Sequence, residues 1–168
     1  MDKELYDNRP TFWYNNDENK KIRAGGVLFY KFNETTLNLE FLMIHNKNNY
    51  YEDFGGRTDI EDNDIIDTIC REVEEESNKI FKKEFIRKEL INSKSTYIKQ
   101  CKYLLYFVEL KNYHDPKKFG EIEIHDNIER TVEWITYDDF CNKNFLEKLN
   151  FRLKSYNVSE CIKNLLVD

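Results

Sequence analysis

The chain has 168 residues, enough for one domain (1–168) with a single substantial core and too few for two. Its formal charge of −6 argues against tight nonspecific binding along nucleic acid, which depends on many Lys and Arg side chains neutralising phosphates; a small phosphorylated ligand stays open. The cysteines Cys70, Cys101, Cys141 and Cys161 are widely separated with no metal-binding spacing, no secretory leader opens the sequence, and no run of about 18 apolar residues occurs. A cytoplasmic protein with reduced thiols, neither secreted nor membrane-spanning, is expected.

In chain order, Met1 to Lys21 is polar and Asn-rich and reads as a partly ordered arm. Its aromatic cluster Phe12-Trp13-Tyr14 either covers an edge of the core or offers a face to a base. Arg23 to Tyr30 reads as a strand whose glycines permit close approach of another backbone, with Arg23 a candidate phosphate contact or an ordinary strand-end charge. Asn33 to Asn38 is a hairpin turn, and Leu39 to His45 a second strand. His45 has no nucleophile or metal-ligand partner nearby in sequence.

The stretch Tyr51 to Ile80 reads as strand, glycine turn, acidic loop and helix. Ile65, Ile66, Ile69 and Val73 form an apolar stripe at helical spacing, and Glu72, Glu75 and Glu76 lie at i, i+3 and i+4 on a neighbouring face. Carboxylates so spaced repel one another, and a hard divalent cation compensates them; magnesium suits, because it takes oxygen ligands from a few carboxylates, water and substrate phosphates. Asp59 to Asp64 superficially resembles a calcium loop but lacks its central glycine, so Asp64 is read as an N-cap or first-turn acid of the helix. Arg57, just after Gly56, is placed to reach a phosphate or to pair with the acidic loop.

Lys79 to Leu90 is basic and partly apolar. Thr96 to Ile98 and Lys102 to Leu110 are strand candidates, followed by an irregular loop from Tyr113 to Gly120. Glu121 to Trp134 returns to the sheet, and Tyr137 to Phe140 opens a helix. Glu129 and Glu133 are either surface acids or accessory groups. Val158, Cys161, Ile162, Leu165 and Leu166 mark a final helix packed on the core.

The stretch beginning at Gly55-Gly56 resembles the Nudix box, G-x5-E-x7-R-E-U-x-E-E-x-G-U, where U is bulky and aliphatic. Arg71, Glu72, Val73, Glu75 and Glu76 occupy the R-E-U-x-E-E positions. Counted from Gly56, the first acidic position falls on Asp62, with one extra residue before Arg71; counted from Gly55, it falls on Glu61. Asn78 and Lys79 stand where the signature closes with glycine and an aliphatic residue. Asn tolerates the left-handed conformation that ends many helices.

The resemblance implies an α/β (α+β type) fold, a mixed sheet sandwiched between helices. It implies Mg2+- or Mn2+-dependent hydrolysis of a diphosphate bond in a nucleoside diphosphate linked to another group. Glu72, Glu75 and Glu76 would hold metal, Glu72 serving as base or shared ligand, and Arg71 would orient the carboxylates. Gly55, Gly56, Arg23 and Arg57 are substrate-binding candidates; Asp62, Glu129 and Glu133 are accessory acids. Candidate substrates are small nucleotide derivatives, the 5′ cap of RNA and diphosphoinositol phosphates. A module of this fold that binds a nucleotide without cleaving it, and a purely structural interaction protein, are the alternatives from other classes. A homodimer is common in the family.

Overall fold

The structure, a computed structural model, describes residues 8–167. Its strands are β1 (Phe12–Trp13), β2 (Lys21–Ile22), β3 (Ala24–Phe32), β4 (Leu39–Asn46), β5 (Tyr51–Glu52), β6 (Phe54–Arg57), β7 (Lys94–Ile98), β8 (Tyr103–Glu109), β9 (Ile122–Glu123) and β10 (Ile128–Thr136). Its helices are α1 (Ile65–Glu76), α2 (Lys83–Leu90), α3 (Tyr137–Phe140), α4 (Lys143–Leu146) and α5 (Tyr156–Val167). The main sheet runs β7-β8-β3-β4-β10-β9, with β5 added to β4 and β6 to β3. The β3–β8 pairing is parallel and the others antiparallel, so the sheet is mixed.

Strand alternation divides the apolar residues between two cores. Val27, Phe29, Leu42, Ile44 and Val132 face one side, where Ile69 and Val73 of α1 and Ile86 and Leu90 of α2 cover them. Leu28, Phe41, Met43, Leu105 and Phe107 face the other, against Val158, Ile162 and Leu165 of α5. The result is the expected sheet sandwiched between helices. Among the described residues no helix is long and apolar enough to cross a membrane.

Of the expected arm, residues 1–7 lie outside the described residues. Phe12 and Trp13 pair with Ile22 and Lys21 as a small hairpin, and the Tyr14 ring stacks on Tyr97 with centroids 5.5 Å apart. Arg23 Nη1 donates to the Arg9 carbonyl and to Thr11 Oγ1, both at 2.8 Å, and Thr58 Oγ1 donates to the Pro10 carbonyl. Side-chain contacts across long sequence separations therefore fasten this segment, and local composition does not encode them.

Below the sheet lies a buried polar cluster. Asp53 is fully buried; it accepts from Arg152 Nε at 2.7 Å and from the Tyr103 hydroxyl at 2.6 Å. Arg152 comes from a 3-10 turn at Phe151–Lys154, nearly a hundred residues away, and its guanidinium lies over the Tyr103 ring. Burial and the Asp53 charge push the Tyr103 hydroxyl well above its ordinary range. Removing one member of a buried pair strands the other charge, at a cost of about 3–5 kcal/mol. Arg152→Met is expected to lower the unfolding free energy by about that amount, read from the urea midpoint; a loss within the error of the measurement would show that the pair is not a structural anchor.

Candidate active site

The site begins where β3 and β6 meet. Gly25 pairs with Gly56 and Gly26 with Gly55, so four residues without side chains face one another. At Gly56 a Cβ would stand 2.3 Å from Cδ and Oε2 of Glu72; the carboxyl therefore rests directly on the strand backbone. At Gly55 a Cβ would stand 2.2 Å from the Tyr103 hydroxyl, and the Gly55 N–H donates to Glu76 Oε2 at 2.7 Å. The glycines expected to form a turn are thus strand residues of β6, and their bare backbone admits α1 and binds one of its carboxylates.

Asp64 caps α1 in extended conformation, its side chain accepting from Asp67 N at 2.7 Å. Ile69, Cys70 and Val73 are buried, and Ile65 and Ile66 pack partly buried beside them. This leaves Arg71, Glu72, Glu75 and Glu76 half-buried along the adjoining face. Arg71 grips Asp62 with two nitrogens, Nε to Oδ1 at 3.1 Å and Nη2 to Oδ2 at 2.9 Å. It also donates to Glu72 Oε1 and to the Arg57 carbonyl, both at 2.9 Å, and lies 3.6 Å from Glu75 Oε2. Asp62 in turn accepts from Thr68 Oγ1 and Asp59 N, and a turn closes from Asp62 N to the Asp59 carbonyl. The longer loop is thereby folded so that Asp62 still reaches Arg71.

Burial raises the Glu72 carboxyl, with Arg71 opposing, and raises that of Glu75, with Arg71 and His125 opposing. It raises Glu76 furthest; the Gly55 N–H opposes it, and the Glu52 and Glu72 charges add to it. Asp62 goes the other way: burial pushes it up, but the hydrogen bonds from Arg71, Asp59 N and Thr68 outweigh burial and hold it low. The three glutamates are thus short of positive charge.

Among the described residues no three carboxylate, imidazole or thiol groups already converge as a closed metal cage. The donor set nonetheless fits a hard cation. Glu72 presents Oε2 beyond its bond to Arg71, Glu76 presents Oε1 beyond its bond to Gly55, and Glu75 meets Arg71 and His125 only at 3.6 and 3.7 Å. Partly solvated oxygens with raised proton affinity suit an ion that keeps several waters.

The other candidates are placed differently. Arg23 is turned to the N-terminal hairpin, and Arg57 contributes its carbonyl to Arg71 while its side chain is exposed. Glu133 lies by alternation on the sheet face away from α1, 2.8 Å from His45 Nδ1 and 3.3 Å from the Tyr51 hydroxyl. Burial and Glu133 push that hydroxyl up to about 12. Glu129 is exposed and lines a cavity of about 1080 Å³ beside the C-terminal end of α1, together with His45, Lys47, Asn78, Lys118 and Ile122. Glu52, whose charge acts on Glu76, and His125, beside Glu75, were not singled out in the sequence; a carboxylate next to Asp53 and an imidazole in a turn carry no local pattern.

No protein-family model matches the chain, and no curated protein matches it in sequence. Solved structures match it in shape. A C. elegans Ap4A hydrolase, in a binary complex, superposes with a TM-score of 0.56 at 16% identity, over 87% of this chain and 100% of that one. The NUDIX domain of Shewanella oneidensis NrtR, complexed with ADP ribose, gives 0.53 at 13%, over 98% of this chain and 99% of that one. A bifunctional NMN adenylyltransferase/ADP ribose pyrophosphatase from Francisella tularensis, complexed with AMP and Mn ion, gives 0.53 at 14%, over 95% of this chain and 45% of that one. At these identities the likeness is one of fold.

The pKa shifts have a thermodynamic consequence. A carboxyl raised by folding binds protons more tightly in the native chain, so its effect on stability is most favourable below its unfolded value of about 4.3 and worsens as pH rises through the folded value. The depressed Asp62 contributes above its unfolded value of about 3.9 and loses that contribution only at lower pH. In protein stripped of divalent cations, the thermal midpoint is therefore expected to rise as pH is lowered from about 7 toward 5, and Glu76→Gln to flatten the rise. A midpoint that falls over this interval, in both proteins alike, contradicts the charge deficit.

Proposed function

The chain has the Nudix fold, and we propose that it is a metal-dependent hydrolase of the diphosphate bond in a nucleoside diphosphate linked to another group. The observation that carries this reading is the carboxylate face of α1, where Arg71 reaches Glu72 and Glu75, Glu76 is held by the Gly55 N–H, and each glutamate keeps an oxygen without a close donor. The neighbours of the same fold, one an Ap4A hydrolase and others complexed with ADP ribose or with AMP and Mn ion, support a nucleotide substrate. The four cysteines are free thiols, which agrees with a cytoplasmic setting.

Glu72, Glu75 and Glu76 would hold Mg2+ or Mn2+, which when bound supplies charge neutralisation for the diphosphate and a lowered pKa for a coordinated water. The chain's own contribution is placement and proton transfer. Gly56 gives the Glu72 carboxyl its seat, and Arg71 fixes one of its oxygens by a charge-assisted bond. Glu72, with one oxygen held by Arg71, would take the proton of the attacking water. Asp62 acts one step back, by anchoring Arg71.

The test is turnover of a panel of nucleotide derivatives, capped RNA and diphosphoinositol phosphates with Mg2+ or Mn2+. Glu75→Gln and Glu76→Gln are expected to abolish metal-dependent product formation with the fold intact by circular dichroism, and Glu72→Gln to lower kcat by about 10²–10⁴-fold. Full activity in the Glu75 and Glu76 variants would place the reaction elsewhere. Ligand binding with no product from any substrate would make the protein a nucleotide-binding module.

A further inference from the structure

The residue that stands in place of the signature's closing glycine does more than end the helix. Asn78 has φ 51°, the left-handed conformation a glycine would supply, and its amide also makes three hydrogen bonds. Nδ2 donates to the carbonyls of Phe119 and Ile122, both at 2.8 Å, and Oδ1 accepts from Ile124 N at 2.9 Å. Two carbonyls on one side and an N–H on the other fix the orientation of the amide without ambiguity. Two residues earlier, the Glu76 carbonyl accepts from Arg130 Nη2 at 2.9 Å, while Nη1 of the same guanidinium donates to the Gly120 carbonyl at 2.6 Å. Arg130 is 5% exposed, and its Nε–H meets no acceptor among the described residues.

These bonds converge on residues 119–124, of which Phe119 is buried in the core and the rest lie at the short edge of the sheet. Strand β9 pairs with β10 through two residues only, Ile122 and Glu123. Phe119, Ile122 and Ile124 are also an apolar wall of the cavity, with Lys47 and Lys118 among its lining residues. The turn that follows carries His125, 3.7 Å from Glu75 Oε1. A cavity of about 1080 Å³ accommodates a nucleotide-sized group, with apolar side chains for its body and lysines for an attached phosphate.

We propose that Asn78 and Arg130 are positioning residues that lock this wall onto the C-terminal end of α1, so that the group linked to the diphosphate is held in register with the carboxylates. The cavity is then the subsite for that group, a nucleoside or nucleotide, and the inference rests on the hydrolase reading above. Two short hydrogen-bonded links set the distance between the wall and the carboxylates. Without them residues 122–124 would be held by a two-residue ladder and by what precedes it, the buried Phe119 ring and the bond from Arg130 N to the Glu121 carbonyl.

Asn78→Gly is the decisive variant, because glycine keeps the left-handed backbone without strain and removes all three side-chain bonds. By hydrogen exchange, residues 119–126 are expected to lose protection, most of all at the Ile124 amide, while α1 and the central sheet keep theirs. With Mn2+ and Ap4A or ADP-ribose as probes, KM is expected to rise about tenfold with kcat changed less than twofold; a helix cap alone would move neither. Asn78→Asp, which keeps the acceptor for Ile124 and loses both donors, is expected to fall between. Unchanged exchange at Ile124 overturns the clamp. Lost protection with unchanged KM overturns the role of the wall in binding. If the wild type turns over no member of the panel, the hydrolase reading fails and the subsite fails with it, whereas the clamp itself still stands or falls on the exchange measurement.

Discussion

The structure depends on a contact that most sequences forbid: a glutamate carboxyl lying against the backbone of the neighbouring sheet. With any side chain at position 56, Glu72 would have to leave its seat, because a Cβ there falls inside the carboxyl group. The same absence of side chains at Gly25, Gly26 and Gly55 lets Ile69 approach from one face of the sheet and the Tyr103 hydroxyl from the other. The glycines therefore set the height of α1 above the sheet. That height puts the Gly55 N–H within reach of Glu76 and keeps the carboxylates half-buried.

Half-burial has an electrostatic cost, and Arg71 offsets only part of it. One guanidinium faces Asp62, Glu72 and Glu75, and its strongest geometry, two nitrogens on one carboxylate, goes to Asp62. Asp62 is accordingly held below its ordinary range, while Glu72, Glu75 and Glu76 are pushed up. The one two-nitrogen grip thus goes to the acid that anchors the loop, while Glu72 has a single bond from Arg71 and Glu75 a longer contact. A structural salt-bridge network would be expected to do the opposite, spending its cation on the most desolvated acid.

What was legible in the sequence was local. The period of the apolar residues in α1 and an acid at Asp64 to open it are written within a few residues of where they act, whereas the glycines read as a turn form a strand, since their pairing with β3 lies about thirty residues back. The bidentate hold of Arg71 on Asp62 spans nine residues and was not legible: counting marked Asp62 only as an accessory acid, and the turn at 59–62 that takes up the extra residue brings it to Arg71. Pairings over long separations were not legible. Asp53 with Arg152, His45 with Glu133 and the parallel register of β3 with β8 arise from the path of the chain, and neither propensity nor spacing carries that information. His45 shows the limit: no partner stands near it in sequence, and a carboxylate stands 2.8 Å from it in space.

Asn78 joins both kinds of information in one residue. A substitution rule explains why asparagine can replace glycine, since its short polar side chain tolerates positive φ. Tolerance does not explain why both of its amide N–H groups and its oxygen are bonded to partners 41 to 46 residues away. Glycine ends the helix equally well and leaves the loop to its own ladder. Asparagine ends the helix and carries its position outward, so that the loop bordering the cavity is registered against the last turn of the carboxylate helix rather than against the edge of the sheet.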